Sequence, residues 1–304
     1  MKIHQSIQLY INYITNEKRL AAGTIRNYTS DLENFQSFLS EQHITELEDL
    51  TAREIRSWQM HLMTTTYSAR SANRALCSIR SWCQYLRKKN LLKIDPFQKI
   101  TPAKTPNHLP IFFKENEVEH IYSDELYPDT FNGQRDKLLL QILYETGIRR
   151  AEIISLSESN FDPIALTIKV RGKRNKERII PIENELSQNI QRFITLKKTN
   201  GINEEALLTD DKGHPLTINK VYTLVKHYMS QISTADRISP HIFRHTFATH
   251  MLNEGANIDA IKELLGHTDL KATEVYTHVT REHLKETYKH AHPRAKSNSK
   301  KEEI

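Results

Sequence analysis

His241-Ile-Phe-Arg244-His245-Thr-Phe-Ala-Thr-His250, then Leu264-Leu265-Gly266-His267, then Thr273-Glu-Val-Tyr276-Thr-His278, is the stretch on which the reading of this chain turns. It gathers histidines, an arginine and a tyrosine into one short region, with apolar residues at helical spacing between them. That spacing predicts helices around 241–254 and 257–265. Alone, His241-x-x-Arg244 is weak, because a histidine and an arginine three apart on a helix often form only a solvated face. The ordered set is stronger. Cations gathered around a tyrosine suit the attack of a phenol on a phosphate diester. The pentacoordinate phosphorus then gains charge on its non-bridging oxygens. Guanidinium groups meet that charge best, since their planar fork matches two oxygens and stays protonated.

Working outward, Gln134 to Thr146 reads as a buried helix stopped at Gly147, and Arg149 follows in Thr146-Gly-Ile-Arg149. Arg149 is a second candidate clamp, although its position alone also suits a surface residue at a helix start. Glu152, three residues on, is placed to orient its guanidinium. A further helix carries Ile153, Ile154 and Leu156. Ala165–Val170 and Glu177–Ile182 then form β-rich runs around Arg171-Gly-Lys-Arg-Asn-Lys176, a hairpin with a basic tip. Lys173, after Gly172, suits proton donation to a leaving 5′ oxygen, with Lys176 its near rival. Tyr276 is the candidate nucleophile. Its ordinary pKa near 10 leaves a deficit of about 4 kcal/mol at neutral pH, which nearby cations and an imidazole, His241 or His267, partly offset. The chain holds 12 tyrosines, so only the setting of Tyr276 lifts it above a packing residue. Helical patterns also recur around 185–197 and 217–231. His241 and His245 have a spacing that zinc ligands use, but Arg244 inside the pair opposes a dication, and no metal is expected. With 8 glycines and no G-x-x-x-x-G-K run, an ATP-driven mechanism has no support either.

The first ninety-odd residues read as helical. Ile7, Tyr10, Ile11 and Ile14 share a face, Thr24 is a candidate cap for a second helix, and Thr51 with Glu54 suggests a capping box. A fourth helix runs from about Ser68 to Lys89, with Ala72, Ala75, Leu76, Ile79, Trp82, Cys83 and Leu86 on its buried stripe. The chain carries net charge +6, and that charge is unevenly spread. Between Glu54 and Asp95 there is no acidic residue, while Arg56, Arg70, Arg74, Arg80, Arg87, Lys88, Lys89 and Lys93 all fall there. A polyanionic partner is the natural reading. Arg74, Ser81 and Lys88 are placed on the outward side, as are Arg80 and Arg87; Arg70, Arg74, Arg80, Arg87 and Lys88 are the candidate DNA contacts. Prolines at 96, 102, 106 and 110, with Lys99 and Lys104, mark a basic linker, Lys104 being a further DNA candidate. The expected division is therefore 1–95 helical, 96–110 linker, 111–293 catalytic and 294–304 flexible tail. No secretory leader or membrane span is read, and Cys77 and Cys83 are expected to pack as small apolar groups in a reducing cytoplasm.

Tyr144-Glu-Thr-Gly-Ile-Arg149-Arg-Ala-Glu152, Gly172-Lys173-Arg-Asn-Lys-Glu-Arg178, the 241–250 segment, Leu264-Leu-Gly-His267 and Tyr276-Thr-His278 together resemble the tyrosine recombinase (phage-integrase) superfamily, and within it the Xer type. The resemblance spans nearly the whole chain. It implies a mainly α fold: an N-terminal SAM-like helical bundle that binds the core site, and an α+β catalytic domain with a small antiparallel sheet. It implies Arg149 and Arg244 as phosphate clamps, Lys173 as general acid, and His241 as the group that assists the nucleophile. His267 would bond the phosphate, and Tyr276 would form a 3′-phosphotyrosyl link that needs no cofactor. Phe243 stands where leucine is usual, and Arg174, a further DNA candidate, where glycine often stands in the turn. The resemblance also implies double-stranded DNA with a specific core site and a tetramer, either of this chain or with a related recombinase. The helix around Glu282 to Tyr288 would pass to a neighbour, with Leu284 and Tyr288 as its anchors. A septal DNA translocase is a further expected partner, and chromosome dimer resolution the expected role. The alternatives are an integrase or invertase of a mobile element, a type IB topoisomerase-like enzyme and a catalytically dead DNA-binding protein. The short basic linker and the ending His292-Pro-Arg-Ala295 oppose the topoisomerase reading. The intact candidate set opposes the dead protein.

Overall fold

The computed structural model describes residues 1–65, 67–98, 100–105, 111–172, 176–235 and 238–266, together with Tyr288 and Ala291. The chain divides into two units, Met1–His108 and Leu109–Ile304.

In the first unit, α1 (Ile3–Asn12) runs into a π-helical turn at Tyr13–Glu17, followed by α2 (Ala22–Glu41), α3 (Ala52–Thr64) and α4 (Ala69–Lys88). The apolar stripes read from the sequence converge on a core around Tyr10, Phe35, Trp58, Ile79 and Trp82, all at most 1% exposed. Burying side chains of that size is the main favourable term for a bundle of this length. Thr51 and Glu54 form the capping box their spacing suggests: the Arg53 amide donates to Thr51 Oγ1 at 3.2 Å and the Thr51 amide to Glu54 Oε2 at 2.9 Å. Thr24 is not a cap. The N-cap of α2 is Ala21, so Thr24 lies inside the first turn. Cys83 is buried but Cys77 is exposed, because it falls on the opposite side of α4 from the apolar stripe.

The proline-rich run does not leave the first unit at once. Phe97 and Ile100 are buried in its core. Asn73 donates from Nδ2 to the Ala103 carbonyl and accepts the Ala103 amide, both at 2.8 Å. Gln59 holds the Thr101 carbonyl at 3.1 Å. Prolines forbid a regular ladder here, so side-chain amides take the backbone groups instead.

The basic face of α4 is partly consumed within the unit. Arg74 makes a bidentate pair with Asp31 at 2.7 and 2.8 Å, and Asp31, only 4% exposed, also accepts from Ser78 Oγ. Arg80 lies over the Phe97 ring at 5.0 Å, and Arg87 pairs with Asp95 at 2.9 Å. Ser81 is not turned outward; it accepts a 2.6 Å hydrogen bond from Tyr10. Arg70, Lys88 and Lys104 are exposed.

In the second unit, α5 (Glu115–Glu119) leads to α6 (Phe131–Thr146), which is buried on nearly every face. The following helix, α7 (Arg150–Ile153), is a single turn rather than the longer helix expected through Leu156. The chain leaves it because Leu156 instead gives its carbonyl to the Leu207 amide at 2.8 Å. A three-stranded antiparallel sheet follows: β1 (Phe161–Asp162), β2 (Thr167–Arg171) and β3 (Glu177–Pro181), in that order. Val170 stands opposite Arg178, and Arg171 opposite Glu177. Then come α8 (Asn184–Thr199), α9 (Ile218–Ile232), α10 (Pro240–Asn253) and α11 (Ile258–Leu265), with α10 packed on α6 and α11 on β3.

Tyr288 and Ala291 belong to this unit's own core, 1% and 2% exposed, and Tyr288 donates to the Glu145 carbonyl at 3.0 Å. The expectation that Tyr288 fills a neighbour's pocket concerns an assembly of several chains. In the single chain, the apolar ring occupies the groove its own core offers. Leu284 lies outside the described residues.

Arg74→Glu is expected to destabilise the full chain by about 2 kcal/mol without DNA, because it strands the Asp31 carboxylate beneath a half-exposed partner. Lys88→Glu should leave stability nearly unchanged. Urea denaturation of both variants checks this, and equal midpoints would mean that the Asp31 pair contributes nothing.

Candidate functional site

The site begins where α6 ends. Gly147 caps it in the left-handed region at φ 58°, and a β-carbon there would lie 2.8 Å from both Leu265 Cδ2 and Phe247 Cδ1. Only glycine satisfies both the dihedral and the close approach. The turn delivers Arg149 as the N-cap of α7, where its amide donates to Glu152 Oε2 and its Nη1 to Glu152 Oε1, each at 2.8 Å. Glu152 therefore orients Arg149, as the spacing suggests.

Arg244 projects from α10. Its Nη1 donates to the Gly147 carbonyl at 2.9 Å and its Nη2 to the Leu265 carbonyl at 2.6 Å. Arg149 Nη2 donates to the next carbonyl, Gly266, at 3.2 Å. Two arginines far apart in sequence thus meet at the C-terminal end of α11. Helix carbonyls there lack intrahelical partners and carry the negative end of the macrodipole. Gly266 closes α11 at φ 64° and exposes these carbonyls.

A third guanidinium was not assigned a role from sequence. Arg178 on β3 donates from Nε to the Leu264 carbonyl at 2.7 Å, from Nη1 to Glu152 Oε1 at 3.0 Å and from Nη2 to Glu152 Oε2 at 2.8 Å. The sequence signal was present, since Arg178 ends the quoted hairpin motif, but nothing local distinguishes it from an exposed strand residue.

Burial and charge together set the proton affinities. Burial alone would raise the Glu152 carboxyl, but hydrogen bonds from Arg178 and the Arg149 amide, with the Arg178 charge, hold it down at about 2. Burial, then repulsion from Arg149 and Arg178, lowers Arg244 to about 9, so it remains a cation at neutral pH. His241 is open to solvent at the start of α10, yet the protein beneath it, then Arg150, Arg244 and Arg149, lowers its pKa below 6.5. A neutral imidazole beside guanidinium groups can accept a proton. Behind the site, His250 donates from Nε2 to the Phe113 carbonyl at 3.0 Å and accepts from the Tyr144 hydroxyl at 3.1 Å, which pins α10 to α6.

Arg149, Glu152, Arg244 and His241 are therefore brought together. Lys173, Arg174, His267 and Tyr276 lie outside the described residues. Their described neighbours border the site. The Gly172 amide donates to the Lys176 carbonyl at 2.7 Å, and a β-carbon on Gly172 would lie 3.5 Å from Glu152 Oε1. Gly266, whose carbonyl Arg149 holds, immediately precedes His267. Tyr288, the other tyrosine near this end of the chain, is a poor nucleophile, since burial pushes its phenol well above 10. Among the described residues, no group of three or more His, Cys, Asp or Glu comes together as a metal site, and no helix is long and apolar enough to cross a membrane.

Glu152→Gln should remove a stabilisation of about 3 kcal/mol that follows from a carboxyl held near 2 against an ordinary 4.5. A depressed carboxyl stabilises the fold above its unfolded pKa, and that contribution is lost as pH falls toward the folded value. The stability gap between wild type and variant, measured by urea denaturation, should thus be full at pH 6 and shrink by pH 3. A constant gap would contradict the assignment.

The family described as "Phage integrase family" matches residues 112–283, and "Phage integrase, N-terminal SAM-like domain" matches residues 7–90. Tyrosine recombinase XerC of Staphylococcus saprophyticus subsp. saprophyticus is 34% identical over 293 residues, covering 96% of this chain and 98% of that protein. Tyrosine recombinase XerC of Listeria welshimeri serovar 6b is 36% identical over 296 residues, covering 95% and 97%. Among solved structures, a lambda integrase tetramer bound to a Holliday junction has the same fold, with TM-score 0.69 at 15% identity, over 90% of this chain and 81% of that one.

Proposed function

Because the chain belongs to the phage integrase family and is a Xer-type tyrosine recombinase, an enzyme of site-specific recombination, we propose that Tyr276 cleaves DNA by attacking a phosphodiester that Arg149 and Arg244 hold. The observation that carries this reading is the meeting of those two guanidinium groups with His241 at the end of α11. At Arg244 the charges of Arg149 and Arg178 act against the guanidinium and only Glu152 acts for it.

In the proposed step, the Tyr276 oxygen bonds to phosphorus as the bond to the 5′ oxygen breaks. His241, neutral at pH 7, takes the phenolic proton, and Lys173 gives a proton to the departing 5′ oxygen. The products are a 3′-phosphotyrosyl bond and a free 5′-hydroxyl. Attack by a partner strand's 5′-hydroxyl reverses each transfer, so rejoining needs no nucleotide energy. His267 would hold a non-bridging oxygen. Arg70, Lys88, Lys104 and Arg174 would contact the duplex, with Arg80 and Arg87 adding charge behind them. The first unit would bind one face of a specific core site, and four protomers, of this chain or of this chain with a related recombinase, would pair two sites. The proposed role is chromosome dimer resolution in the cytoplasm, with a septal DNA translocase as regulator.

Tyr276→Phe should retain DNA binding and form no covalent adduct on a nicked suicide substrate carrying a genomic site recovered by covalent capture. An adduct that persists would place the nucleophile elsewhere. Lys173→Ala should slow cleavage by about 100-fold or more and be largely restored by a 5′-bridging phosphorothioate, whose leaving sulfur needs no proton. Failure of that rescue would remove Lys173 from the general-acid role.

A further inference from the structure

We infer that Arg178 is a positioning residue for strand cleavage, resting on the reading above: it locks the Arg149 clamp, the base of the Lys173 hairpin and the turn leading into His267 into one rigid unit. The geometry is specific. Glu152 accepts from Arg149 and Arg178 at Oε1, and from the Arg149 amide and Arg178 at Oε2, at 2.8 to 3.0 Å. Those four bonds use its full acceptor capacity, so Arg149 has one allowed orientation as long as Arg178 is present. Arg178 Nε meanwhile holds the Leu264 carbonyl at 2.7 Å. The three carbonyls Leu264, Leu265 and Gly266 are therefore taken in order by Arg178, Arg244 and Arg149.

Both glycines that precede candidate catalytic residues lie against the same side chain. A β-carbon on Gly266, before His267, would approach Arg178 Cδ to 3.2 Å, and one on Gly172, before Lys173, would approach Arg178 Nη1 to 3.7 Å. Arg178 cannot itself serve as a DNA clamp. Its side chain is only 12% exposed, and its Nε and both Nη atoms are already engaged. What sets it apart from Arg149, 35% exposed, is its burial and the engagement of Nε as well, so it acts through its neighbours. A lysine at this position keeps the charge but offers no fork, so it cannot bond both carboxylate oxygens and the carbonyl together.

The test uses the full chain and single-turnover adduct formation on the nicked substrate, with wild type, R178K, R178A, E152Q and the R178A/E152Q double variant. R178A is expected to lower the cleavage rate constant by about 30-fold, somewhat less than the roughly 100-fold that a 1 Å misplacement can cost. Non-covalent DNA affinity and its salt dependence should stay at wild-type values. R178K should remain about tenfold or more slower than wild type. The double variant should be no slower than the worse single variant, because both substitutions break one linkage. An R178A rate within twofold of wild type, or independent losses that multiply in the double variant, overturns the inference. So does a salt slope reduced by about 0.9, which marks a lost phosphate contact instead. If R178A fails to show a cooperative melt, R178K decides: about tenfold or greater loss in a folded protein supports the inference, and a smaller loss overturns it. The wild-type adduct, mapped by peptide sequencing, separates this from the parent reading. A label away from Tyr276 sinks the cleavage mechanism, whereas a Tyr276 adduct with an indifferent R178A sinks only the role of Arg178.

Discussion

The exposed carbonyl end of α11 is the constraint on which the catalytic unit depends. Guanidinium groups placed close together repel, and burial, then that repulsion, depresses the Arg244 pKa. Leu264, Leu265 and Gly266 counter it with partial negative charge where a helix leaves its last carbonyls without partners. Glu152 supplies the remaining compensation with a full charge. The balance is incomplete, and in the proposed reaction a phosphate diester would neutralise the remaining positive charge. Binding and transition-state stabilisation thus draw on one preorganised arrangement, which needs little rearrangement when charge develops at phosphorus.

The scaffold exists to hold that arrangement still. Gly147 and Gly266, both in the left-handed region, end α6 and α11 abruptly, so that a carbonyl rather than a side chain faces the arginines. α10 reaches the site from one side and is fastened behind it. Thr246 accepts the Phe113 amide, and His250 bridges the Phe113 carbonyl and Tyr144. Burial lowers the His250 pKa, which keeps the ring neutral and the bridge intact. The same helix thus supplies both Arg244 and the polar contacts that fix its position.

The first unit shows how a charge count overstates a binding surface. The run without acidic residues in sequence is answered by carboxylates and rings from elsewhere: Asp31 for Arg74, Asp95 for Arg87 and the Phe97 ring for Arg80. Arg70, Lys88 and Lys104 remain exposed. A cation whose fork is already filled has less to offer a phosphate, so the usable basic surface is narrower than composition suggests.

By itself, the sequence determined the long helices of both units, though not the single turn of α7, and also the Thr51–Glu54 cap, the basic hairpin and the family. These follow from periodicity, capping chemistry and ordered motifs, all of which are local. Its candidate clamps, Arg149 and Arg244, and the orienting Glu152 were legible because each stands in a distinctive short motif. Tertiary structure alone decided that Arg178 joins them, that Arg74 is tied to Asp31, and that Phe97 and Ile100 complete the first core. Each of these rests on partners distant in sequence or on a pocket that exists only after the helices pack. No local pattern encodes such a pairing, because its free energy comes from burial and from the geometry of groups that the folded chain brings within hydrogen-bonding distance.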